Sequence, residues 1–144
     1  MTIKYVFNPF TGTLDSIDDT ASAANSIISA VGAFTTDTGV VVGELVYASG
    51  SFAADEADNS AVGTGPAIGI VTAKPTTTTA TVAFAGEVSV LSGLTVGADF
   101  FMGTNGSIIL AGVLPTATGS VIQKVGVAVS TTTLLLNIQL PVVL

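Results

Sequence analysis

The stretch Thr79–Leu110, TATVAFAGEVSVLSGLTVGADFFMGTNGSIIL, decides the fold class. Val82, Phe84, Val88, Val90, Phe100 and Phe101 are β-formers, and Gly86, Ser92-Gly93, Gly97 and Asn105-Gly106 fall between them where the backbone must turn. Asn105-Gly106 is the sharpest hairpin signal in the chain, because tight two-residue turns need a positive φ that Asn and Gly tolerate. Three or four short strands punctuated by glycine turns are expected here.

The same grammar runs from Gly39 to the C-terminus. Strands are expected near Val40–Ala48, Ser51–Ala54, Ala67–Ala73, Thr79–Ala85, Glu87–Leu91, Asp99–Met102, Ser107–Leu110, Ser120–Ser130 and Thr133–Leu140. Nine short strands in about 105 residues is the density of a sandwich or small barrel. The expected fold is all-β: a small antiparallel β-sandwich or barrel over residues 38–144, preceded within residues 1–37 by an extended N-terminal arm and a short helix.

The arm begins TIKYVFNPFTGTLDSI, where Asn8-Pro9 favours turn initiation and Gly12 supplies conformational freedom, so a small hairpin or looped arm is expected. Tyr5, Phe7 and Phe10 either pack on the chain's own core or, with Pro9, form an arm that docks its aromatics into a groove on a partner. Leu14, Ile17, Ala21, Ala24, Ile28 and Val31 are spaced 3, 4, 3, 4 and 3, as in a heptad seam, and Asp18 and Asp19 suit a helix N-terminus. This predicts a helix from about Asp18 to Val31: a self-associating seam through Leu14, Ile17, Ile28 and Val31, a lone core-packed helix, or an Ala/Ser linker in its place. At the other end, LLLNIQLPVVL is apolar for a terminus, and Leu140, Val142 and Leu144 either belong to a core strand or cover a neighbouring subunit.

Composition narrows the function. The chain has 144 residues, 49% of them hydrophobic and only 9% charged, where a soluble monomer usually keeps about a quarter charged. Much of the surface is therefore expected to be uncharged or covered by another chain. A membrane span is not expected, because Gly, Thr, Ser, Asp and Pro interrupt every apolar run well short of the ~20 residues a spanning helix needs. MTIKYVFNPFTG lacks the apolar core of a secretory signal. Three basic against ten acidic residues give a net charge of −7, which repels phosphate backbones, so no nucleic-acid partner is expected.

With no His and no Cys, neither a Ser-His-Asp nor a Cys-His arrangement exists, and disulfides and thiolate metal sites are excluded. Glu87 and Asp99 flank expected strands and are the one candidate carboxylate pair for glycoside hydrolysis. Asp55, Glu56 and Asp58 loosely resemble an acidic calcium loop, without the D-x-D-x-D-G ladder or a distal Glu. Gly63-Thr64-Gly65 leads into no phosphate-loop pattern. The expectation is a non-enzyme with no cofactor and no metal.

Two stretches carry a resemblance. KYVFNPFTGTLDSI is similar to the N-terminal segment of many tailed-bacteriophage structural proteins, in which a Tyr/Trp-V-F-N-P-F-T-G-x-L-D string opens a small virion protein. GEVSVLSGLTVGADFFMGTNGSI, followed by GSVIQKVGVAVSTTTLLLNIQ, resembles the β-rich module of phage head-decoration, head-fibre and tail-fibre proteins. Val96 stands where that module usually has Pro, and Phe100-Phe101 where it often has two tyrosines.

The resemblance implies a non-enzymatic virion component, commonly a homotrimer, assembled in the host cytoplasm and bound to the major capsid protein on the outer capsid surface. Tyr5, Phe7, Pro9 and Phe10 would then contact the capsid or a neighbouring copy. The alternative it implies is a tail-fibre or receptor-binding tip module recognising a host glycan or surface protein. Replacing Phe7 and Phe10 by Ala separates attachment from internal packing. For an attachment arm, co-sedimentation with particles is lost while the melting temperature barely moves; for internal packing, the melting temperature falls instead.

Overall fold

The computed structural model describes residues 3–8, 13–18 and 30–144. The N-terminal strands are Ile3–Asn8 (β1) and Thr13–Asp18 (β2), which pair antiparallel with each other from Ile3↔Asp18 to Asn8↔Thr13. There follow Ala30–Thr36 (β3), Leu45–Gly50 (β4), Ala53–Glu56 (β5), Ala67–Thr76 (β6) and Thr79–Val88 (β7). The second half holds Asp99–Met102 (β8), Ile108–Leu110 (β9), Val121–Ile122 (β10), Lys124–Ala128 (β11), Leu134–Asn137 (β12) and Val142–Val143 (β13). The all-β expectation holds: among the described residues the only helical pieces are three-residue 3-10 turns.

Five strands close a ring. Their order is β3-β5-β4-β6-β7, and β3 also pairs with β7, so the first and last strands of the series are hydrogen-bonded to each other. The β3–β5 step is parallel and the others antiparallel. Alternation then sorts the side chains. Val46, Ala54, Val71, Ala80 and Val82 form one buried cluster with Phe34, drawn from all five strands of the ring, and so fill its interior. Their neighbours Leu45, Ile70 and Ala83 point to the opposite face and pack with Val88, Phe100, Met102, Val125, Leu134 and Leu136. The second core thus lies between the wall of the ring and the sheet extension β12-β11-β8-β9. Leu45, Ile70, Met102 and Leu134 are fully buried, each contributing about 1.5–3 kcal/mol of transfer energy.

β7 joins the two parts. On one edge β6 accompanies it as far as Ala83, and β12 takes it up from Ala85 to Val88. Ala85 is paired with Ala30 of β3 as well as with Asn137 of β12. A strand residue has one neighbour on each side, so β12 continues the edge that β6 leaves, opposite β3. Gln123, buried at the junction, spans the handover: its Oε1 accepts from the Ala67 N–H at 2.8 Å, and its Nε2 donates to Ala67 O at 3.2 Å and Gln139 O at 3.0 Å. Asn59 ties the same region, donating from Nδ2 to Met102 O at 3.0 Å.

Several expectations are corrected. Gly86 was expected to separate two strands, yet β7 runs through it with φ +95°, because glycine takes a positive φ without steric cost. The single strand expected over Ser120–Ser130 is divided into β10 and β11 by Gln123, whose side chain serves the junction. Val40–Glu44 is not strand; β4 starts at Leu45, after Gly43 with φ +95°. Of the helix expected over Asp18–Val31, residues 19–29 lie outside the described residues; at its two ends the chain is strand, Asp18 closing β2 and Ala30 and Val31 opening β3, where β7 holds them. The sheet therefore begins upstream of residue 38. The Asn105-Gly106 hairpin is present between β8 and β9, with φ of +48° and +70° at the two residues.

Gly69 and Gly126 allow the close approaches within this sheet. A Cβ on Gly69 would overlap the Ala83 carbonyl, and one on Gly126 the Leu135 carbonyl, neither of which can move without breaking a ladder. Gly69→Ala is expected to lower unfolding stability in urea by about 2–4 kcal/mol. Gly112→Ala, where a Cβ meets nothing within 4 Å, should change it by less than about 0.5 kcal/mol.

Candidate functional site

The residues singled out for assembly fall at both ends of the chain. Tyr5 and Phe7 lie in β1, and Leu14 and Ile17 in β2, where Phe7 is in register with Leu14. Pro9, Phe10 and Ile28 lie outside the described residues. Val31 is in β3 and 56% exposed. A heptad seam needs a helical repeat, so Leu14, Ile17 and Val31, all in strands, do not share one.

The C-terminal group is brought together on one surface. β13 pairs only with β10 among the described residues, through Val121↔Val143 and Ile122↔Val142. The end is pinned by Leu144 N–H to Ser120 O at 2.9 Å and Gly119 N–H to Leu144 O at 2.8 Å. Yet Leu140 is 90% exposed, and Val142, Val143 and Leu144 are exposed as well. The tail is thus a fixed strand that presents apolar side chains to solvent rather than a core strand.

The chemistry-bearing candidates are kept apart. Glu87 is in register with Leu135, Leu135 with Val127 and Val127 with Asp99. The two carboxylates therefore occupy one cross-sheet row, three ladder steps of about 4.8 Å apart, wider than the ~5–9.5 Å at which paired carboxylates hydrolyse glycosides. Asp99 instead pairs with Lys124 at 2.8 Å. Asp58 holds its own loop: Oδ1 accepts from Ser60 N–H at 2.8 Å and Oδ2 from Asn105 N–H at 3.3 Å. Bonds from Ser60, its side chain foremost, keep this carboxyl below its usual range. Among the described residues no three Asp or Glu side chains converge as metal ligands would. A cleft of about 420 Å³ between Val42–Glu44, Val90–Leu94 and Asn105–Ile108 has Glu44 as its one ionisable group, and Glu44 Oε2 is bonded to the Val41 N–H at 2.8 Å.

A second surface escaped the sequence reading. The β4–β5 connection places Phe52 at its tip with φ +49° and 77% of its surface exposed. Left-handed backbone at a residue with a Cβ costs roughly 1–2 kcal/mol. The Thr35 N–H and Oγ1 both donate to Phe52 O, at 2.9 and 3.1 Å, which fixes the tip against β3. The Phe34 ring lies 6.3 Å away and in turn meets Phe84 edge-on at 5.8 Å. Beside the tip is a cleft of about 270 Å³ lined by Thr35, Thr36, Asp37, Ser49, Ala53, Ala54 and Asp55. The signal available in the sequence was an aromatic residue inside the short Gly50-Ser51-Phe52 turn, where small polar residues are the rule.

The fold and these surfaces define a class: an all-β chain built on a closed five-stranded ring, with an apolar terminal strand and an aromatic hairpin tip on its surface. No family model, curated protein or solved structure matches the chain.

The acidic groups around the tip differ in their titration. Asp37 is held below its usual range, chiefly by the Thr38 hydroxyl and then by the Gly39 and Thr38 N–H groups. Glu56 is pushed above its usual range by burial, then by Glu44, Asp55 and Asp37. A carboxyl that holds its proton more tightly folded than unfolded loses stability for the protein as pH rises through its titration; Asp37 and Asp58 do the reverse, in acid. Glu56→Gln is accordingly expected to melt above the wild type at pH 7. The gap should close as the pH falls below the ordinary glutamate range, where both side chains are neutral; calorimetry across that range checks it.

Proposed function

We propose that this chain is a non-enzymatic structural protein of the tailed-bacteriophage virion, a decoration (cement) protein that binds and stabilises the outer capsid surface. In this reading it is a homotrimer, and its N-terminal arm, with Tyr5, Phe7, Pro9 and Phe10, contacts the major capsid protein. The observation that carries the reading is the terminal strand β13, pinned in place while Leu140, Val142, Val143 and Leu144 stay exposed. A fixed apolar strand in a chain with only 9% charged residues suits burial against further copies. The N-terminal string KYVFNPFTGTLDSI supplies the virion part of the reading by resemblance.

Many weak attachments on one lattice would hold such a shell, since each bound arm raises the effective concentration of the next. A tail-fibre or receptor-binding tip has one observation in its favour, the exposed Phe52.

Immunogold labelling of purified particles with an antibody to this chain tests the location: regular label over icosahedral heads is expected. Label confined to tail tips transfers the protein to the fibre class, and particles without label overturn the virion reading. Leu140→Asp with Val142→Asp is expected to turn the trimer into monomer in sedimentation velocity, with the β-sheet circular dichroism unchanged.

A further inference from the structure

The ring of Phe52 is poorly accounted for by the fold itself. It is 77% exposed, and its backbone sits at φ +49°, where glycine or asparagine would be at ease. The position therefore strains the chain while returning little burial. The backbone beneath the ring is nonetheless fixed: two hydrogen bonds from Thr35 hold its carbonyl, and the Phe34 ring lies 6.3 Å from the Phe52 ring. A solvent-facing aromatic ring on a fixed turn is a platform for something outside the molecule.

The neighbouring cleft says what kind of thing. Its walls carry the hydroxyls of Thr35, Thr36 and Ser49, the carboxylates of Asp37 and Asp55, and the alanines Ala53 and Ala54. Asp37 Oδ1 accepts from Thr38 Oγ1 at 3.1 Å and Gly39 N–H at 3.3 Å, and Asp55 Oδ1 accepts from Glu56 N–H at 2.9 Å. Each carboxylate is thus anchored through one oxygen, and a carboxylate has acceptor sites for several further donors. An aromatic face beside oriented acceptors and hydroxyls complements a sugar ring, whose axial C–H bonds are attracted to the negative π-face while its hydroxyls donate to carboxylates. An apolar peptide would leave these carboxylates and hydroxyls unpaired. Phosphorylated, sulfated or sialylated ligands would meet Asp37, Asp55 and a net charge of −7, while the one cation beside the cleft among the described residues, Lys74, is already engaged by Thr36 Oγ1 and Asp37 O at 3.0 Å each.

We propose that the Phe52 corner is a binding site for neutral carbohydrate. One pyranose face lies on the Phe52 ring, and hydroxyl groups of the same or the next sugar bond to Asp37 and Asp55. The site does not depend on the virion reading; it would serve a decoration protein or a fibre tip alike, as a means of adhering to glycan-coated surfaces.

Phe52→Gly tests the idea without endangering the fold, because it relieves the positive φ and removes a mostly exposed ring. A printed array of neutral and acidic glycans, followed by saturation-transfer NMR with the bound neutral glycan, is the experiment. Expected are binding confined to neutral glycans, saturation passing from aromatic protons to sugar ring protons, and loss of both in Phe52→Gly at an equal or higher melting temperature. Asp55→Asn should weaken binding by about tenfold, the loss of one charge-assisted hydrogen bond. Absence of any neutral glycan from the bound set, or binding that survives Phe52→Gly, overturns the proposal. So does a Phe52→Gly variant whose sugar binding is intact but whose sedimentation coefficient falls, which would make the ring a contact between copies.

Discussion

β7 has to satisfy three neighbours with two edges, and the molecule is arranged around that constraint. One edge closes the ring through β3; the other is given first to β6 and then to β12. Where one strand hands over to the next, backbone groups at the ends of both would lie unpaired in a dry interior, a cost of about 1–3 kcal/mol for each group. Gln123 meets that need with both ends of its amide, bonding Ala67 and Gln139. A short polar side chain could not span the gap, and an apolar one would leave the groups orphaned.

From this handover follow two cores rather than one. Ala54, Ala80 and several valines fill the five-stranded ring, with Phe34, Ile68 and Phe84 packed against them. Leu45, Ile70, Phe100, Met102, Leu134 and Leu136 occupy the wider space between the ring wall and the extension. With both interiors filled, and with Gly69 and Gly126 letting neighbouring strands approach closely, the candidate surfaces are peripheral: the terminal strand at one place, the Phe52 hairpin tip at another. Binding at either place needs no internal cavity and asks little of the fold beyond rigidity.

What the sequence showed most clearly was local chemistry. Asn105-Gly106 is at a hairpin because few residue pairs tolerate two consecutive positive φ angles. The strand content was legible because β-branched residues alternate along Ala67–Ala73 and Thr79–Ala85. The heptad spacing from Leu14 to Val31 misled at its ends for a related reason: a spacing of 3 and 4 among Ala, Ile and Val is not unique to helices, and Leu14 and Ile17 pair within β1–β2 while Val31 pairs with β7. Gly86 misled too, since glycine marks a positive φ without saying whether the chain turns there or continues.

The sequence by itself determined that this protein is all-β, acidic, free of His and Cys chemistry, and apolar at its C-terminus, because these follow from residue types and short-range periodicity. Only the tertiary structure decided that the strands close a ring through β3 and β7, that Gln123 bridges two strand ends, that Glu87 and Asp99 stand three strands apart, and that Phe52 rather than Phe84 or Phe100 faces water. Those outcomes depend on which distant segments pair and in what register. Register is fixed by the joint burial of many side chains, a property no single stretch of sequence contains.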